Sequence, residues 1–103
     1  MNLADLMPKP TFTSLVEIPV AGAETIPVEF EFRFRRRTEL KLFLDRAPEL
    51  TDEEATGEIV AGWALSDPYN AENLSTLLQN CHGAARAIAT EYLLELTGGR
   101  ITA

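Results

Sequence analysis

One cysteine, Cys81, and one histidine, His82, are all that 103 residues offer of the two side chains most used in nucleophilic and metal chemistry. A lone cysteine excludes an internal disulfide and suits a reducing compartment. Tetrahedral zinc takes about four such ligands, and these two sequence neighbours fall short of that. A nucleophile–base pair also needs a third group to orient the base, and none is evident. Cys81 is therefore expected to be a small buried hydrophobe and His82 a turn residue. Phosphate loops, dinucleotide fingerprints and nucleophile elbows are missing as well. No catalytic, cofactor-binding or metal-ligating residue is assigned, and the chain is not expected to be an enzyme.

Cations are also scarce. Nine Lys and Arg face 16 Asp and Glu, a formal net charge of -7. Binding the phosphate backbone needs clustered cations, so a nucleic-acid partner is not expected. His82-Gly83 between two helical patterns superficially suggests helix-turn-helix. The second pattern, however, sets Arg86 against Glu91 and Glu95, the wrong balance for reading DNA. No apolar run approaches the roughly 20 residues of a membrane span. Met1 to Asp5 lack a basic leader followed by an apolar core, so a cytoplasmic location is expected. The length argues for one domain.

What is present begins with Ile26 to Phe34. Ile26, Val28, Phe30, Phe32 and Phe34 alternate with Glu29, Glu31 and Arg33. A strand places alternate side chains on opposite faces, so this stretch has one apolar and one ionic face. Thr11 to Val20 alternates too, through Phe12, Val16, Ile18 and Val20, with Ser14 and Leu15 as exceptions. The intervening Ala21 to Thr25 contains a glycine and reads as a hairpin loop. Pairing then puts Val16 and Ile18 on the side of Val28 and Phe30. Two strands alone are marginal in water, so helices or further copies of the chain must cover the phenylalanine face.

Four helices are expected downstream. Thr38 is placed as the cap of a helix over about 38–47, with Leu40, Phe43, Leu44 and Ala47 on one face. Thr51 and Glu54 form a capping box for a helix over about 52–65 that presents Ala55, Ile59, Val60 and Trp63. Gly57 within it is expected to allow a close crossing. Asn70 caps a helix over 70–81 with Leu74, Leu77, Leu78 and Cys81 inward. The last spans 84–97 and stops at Gly98-Gly99. The fold class is thus α+β, an N-terminal antiparallel β-hairpin (11–36) followed by three to four α-helices. Residues 11–98 form a single domain, 1–10 a flexible N-terminal arm with room for one short turn around Leu3, and 99–103 a tail. Six of the nine bases lie between Arg33 and Arg46, and seven acids without a base between Glu49 and Glu72. Intramolecular charge matching is the expected result.

Several segments, taken in order, resemble the tail assembly chaperones of long-tailed bacteriophages and prophages. They are Pro27 to Arg33, Glu58 to Trp63, Tyr69 to Asn73, Gly83 to Ile88 and Tyr92 to Gly98. Where relatives carry an aromatic residue and a proline before Gly83, this chain has Cys81 and His82. The resemblance implies a non-catalytic protein of the bacterial host's cytoplasm, absent from the mature virion. Its implied partners are the tape measure protein and the tail tube protein, with a homo-oligomer also allowed. An apolar face large for a lone hairpin nominates Val16, Ile18, Phe30, Phe32, Phe34 and Trp63 as partner-binding, against the simpler reading that they fill the core. A small structural or adaptor protein of the tail, or a small acidic regulatory protein, are the alternatives.

Overall fold

The computed structural model describes residues 1–98. Residues 99–103, expected to be a tail, lie outside that range. The element order is a 3-10 turn (Leu3–Leu6), β1 (Thr11–Ile18), β2 (Ile26–Arg33), α1 (Arg37–Arg46), a second 3-10 turn (Ala47–Glu49), α2 (Asp52–Ile59), β3 (Val60–Trp63), α3 (Ala71–Asn80) and α4 (Ala84–Thr97). The fold class is α+β, as the periodicities require.

β1 and β2 pair antiparallel, with Val16 opposite Val28, Ser14 opposite Phe30 and Phe12 opposite Phe32. This register puts Val16, Ile18, Phe30 and Phe32 on the covered face, all at 2% exposure or less. Each such side chain contributes about 1.5–3 kcal/mol on leaving water. Ser14 breaks the apolar pattern because it faces α4, where its Oγ donates to Glu91 Oε2 at 2.6 Å. The opposite sheet face is uncovered, and Thr13, Leu15 and Glu29 are exposed on it.

The second helix is the main correction. It ends at Ile59 rather than near 65, and Val60–Trp63 form a third strand beside β2, giving the order β1-β2-β3. Distant groups take the hydrogen bonds that a continued helix would need. Arg33 Nη1 and the Tyr69 hydroxyl both donate to the Val60 carbonyl, at 2.6 and 3.0 Å. The Ala64 N–H, which a helix would aim at that carbonyl, donates to Glu29 O instead, at 3.0 Å. Val60 is fully buried and pairs with Phe32, Trp63 pairs with Phe30, and a bulge intervenes.

Smaller corrections concern helix ends. α1 starts at Arg37, with Arg36 in the cap position. The Glu39 carboxylate accepts the Arg36 N–H at 2.8 Å, so Thr38 lies inside the helix and is not the cap. Gly57 is not a close crossing, since a Cβ there would meet Leu74 at an ordinary 3.9 Å. Gly83 is one: a Cβ on it would lie 2.7 Å from the Pro19 ring. The turn between α3 and α4 is thus seated directly on the end of β1. α3 is capped by Asn70, whose Oδ1 accepts from Asn73 N at 2.8 Å. α4 closes on Gly98 in the left-handed region at φ 63°.

The core lies between the sheet and the helices, with Ala84, Ile88 and Tyr92 of α4 fully buried against it. Phe12 and Phe32 pack on the Tyr92 ring with centroids 6.2 and 5.4 Å away. No helix among the described residues is long and apolar enough to cross a membrane.

Candidate protein-binding groove

α1, α2 and α4 together line a half-open apolar groove of about 270 Å³. Its floor is α4, where Ala85 and Ala89, one turn apart, leave a depression beside Leu93. α2 contributes Ala55 and Ile59, and α1 contributes Phe43 and Leu44. Asp52, His82 and Arg86 stand at its edge. Large apolar walls around small residues, with charge at the rim, make a surface for another protein's apolar side chains.

Arg35 joins the three walls. Its guanidinium lies 4.6 Å from the centre of the Phe43 ring on α1. It donates to the Tyr92 hydroxyl of α4 at 3.1 Å and pairs with Glu58 of α2 at 3.5 Å. Arg46 completes the clamp with two hydrogen bonds to Glu58, at 2.7 and 2.6 Å. The Arg46 hydrogen bond, helped by the charges of Arg46 and Arg35, holds the Glu58 carboxyl below the usual carboxylate range against a smaller opposing effect of burial. The same contact raises Arg46. Burial pushes the Tyr92 phenol up, with Arg35 partly offsetting it. The Tyr92 hydroxyl also donates to Arg33 O at 2.8 Å. The charge matching expected between the basic and acidic stretches is therefore realised at Glu58. Sequence reasoning missed Arg35 as a hub because it sits unmarked within an arginine run.

Four of the six nominated partner-binding residues, Val16, Ile18, Phe30 and Phe32, lie together in the core, out of reach of a partner while the sheet is closed. Trp63 is half-buried, edge-on to Phe30 and Tyr69, and its indole N–H donates to Asp67 O at 2.8 Å. Phe34 falls one residue past β2 and lines a separate cleft with Phe12, Pro8 and Leu96. Neither reaches the groove. Of the chemistry-bearing pair, Cys81 is half-buried against the core and His82 is exposed.

Residues 1–102 match a family model described as phage tail assembly chaperone. The chain belongs to that family. No curated protein and no solved structure matches it. The match takes in the N-terminal arm, well ahead of Pro27, where the first of the resembling segments begins. In the chaperone, that arm and the outer side of α1 carry large apolar side chains in water, Leu3 at 72% and Leu42 at 69% exposure among them.

Proposed function

We propose that this tail assembly chaperone is a non-catalytic holder of the tape measure protein, and that its α1–α2–α4 groove takes apolar side chains from helical segments of that partner. The observation carrying this reading is the groove itself, an apolar trough with charge confined to its rim. A long helical protein awaiting its tube exposes apolar stripes, and transient cover on them prevents aggregation. Leu44 at the mouth, 44% exposed, extends the contact beyond the trough. Handing the covered segments to tail tube protein subunits then releases the chaperone. It acts in the host cytoplasm and is absent from the finished particle. Phe34 and Trp63 remain candidates for secondary contacts, because each keeps part of its surface accessible.

Co-expression with a tape measure fragment tests the proposal. Ala89 is exposed on the groove floor, so Ala89→Glu places a charge in the trough without disturbing the core. The native chain is expected to keep the fragment soluble and co-purify with it, and Ala89→Glu to keep its fold and lose the fragment. Equal capture by the two chains would overturn the assignment of the groove. Mass spectrometry of purified virions tests the second half, with this chain expected to be missing.

A further inference from the structure

Met1, Leu3, Leu6 and Met7 are 102%, 72%, 64% and 58% exposed, a concentration of unburied apolar surface in one short stretch. The stretch is ordered locally. Asn2 Oδ1 accepts the Asp5 N–H at 3.3 Å, and an Asp5 carboxylate oxygen accepts the Asn2 N–H at 2.9 Å, closing a 3-10 turn over Leu3–Leu6. Side chains three apart eclipse in a 3-10 turn, so Leu3 and Leu6 project together as a preformed knob. Pro8 and Pro10 keep the stem extended. The Phe34 N–H donating to Pro10 O at 2.9 Å fixes where the stem leaves the sheet.

We propose that the Leu3–Leu6 knob of one copy seats in the α1–α2–α4 groove of a second copy. An apolar cavity of about 150 Å³ accepts a benzene-sized ring, so a groove of about 270 Å³ has room for about two leucine-sized side chains. The charges also correspond. Arg86 and Asp52 stand on the rim from α4 and α2, and neither makes an ion pair among the described residues. The knob carries Asp5 within its turn and is followed by Lys9 three residues on, so the seated knob can pair Asp5 with Arg86 and Lys9 with Asp52. Knob and groove are different surfaces, so the contact is heterologous and each copy both gives and receives. The area involved is small for a permanent interface, which makes the association weak and reversible. The knob is then a stand-in that covers the groove until a client displaces it. This role as stand-in rests on the function proposed above, while the self-association does not.

Sedimentation velocity on the full chain over a wide concentration range tests the inference. The native average mass is expected to rise well above the 11.4 kDa of one copy. Leu3→Ser with Leu6→Ser, outside the core, and Ala89→Glu, on the groove floor, are each expected to stay monomeric. Mixing the two variants supplies one sound groove and one sound knob, and a 1:1 dimer that grows no further is expected. A native chain that stays monomeric, a knob variant that associates like the native chain, or a mixture that does not pair would each overturn the inference. A native chain that self-associates through the knob but captures no tape measure fragment sinks the proposed function alone. A native monomer that captures the fragment sinks the self-association alone.

Discussion

α1 and α4 face each other across one groove, yet they are anchored in different ways. α4 sets Ala84, Ile88 and Tyr92 into the core at 1% exposure or less and ties Tyr92 to the end of β2 by a hydrogen bond. α1 fully buries a single residue, Phe43, with Leu40 half-buried against the core, and is otherwise held by the Arg35 and Arg46 contacts around Glu58. The groove therefore has a fixed floor and a wall resting on few buried side chains and a charged clamp. Elements with few buried contacts open at the lowest free energy. A groove of the function proposed here, accepting apolar segments of another protein, would gain from such a wall.

The largest effect should come from the floor. Tyr92→Ala removes a buried ring packed against Phe12 and Phe32, and is expected to cost about 3–5 kcal/mol in urea unfolding. Phe43→Ala breaks the comparison if it does the same. It is expected instead to strip amide-exchange protection from α1 while α4 stays protected. Gly83→Ala forces a Cβ against Pro19, moves the start of α4 and is expected to cost about 1–3 kcal/mol by the same assay. Gly57→Ala, in the helix between the two, meets only ordinary contact and should add about 0.5–1 kcal/mol. The clamp gives the smallest change in overall stability. Because the folded-state pKa of Glu58 is depressed, its contribution is fully present above the ordinary carboxylate range and is lost as pH falls through the folded value. The protection factors of the α1 amides, taken relative to intrinsic exchange at each pH, should thus fall on acidification and with salt, and Glu58→Gln should remove the pH component.

The hairpin and α4 could be read from the chain because their signals are local. Alternation from Phe30 to Phe32 and a 3.6-residue repeat from Ala84 to Thr97 name face and period together. β3 could not, because Ala55, Ile59, Val60 and Trp63 also satisfy a helical repeat. What decides against helix is the capture of the Val60 carbonyl by Arg33 and Tyr69, residues 27 and 9 positions away. The groove was hidden for a related reason. Ala85 and Ala89 fit a core face by period, and only the placement of α1 and α2 leaves a space above them. The phenylalanine face was legible as apolar, but its burial depended on how fully the helices close over it.

Methyl chemical-shift mapping of the chaperone with a tape measure fragment tests the groove most directly. The account predicts that Ala85, Ala89, Leu93 and Leu44 shift together while Leu15 on the open sheet face does not. Perturbations centred on Leu15 and the neighbouring amides of Thr13 and Glu29, with the groove methyls unmoved, would contradict it.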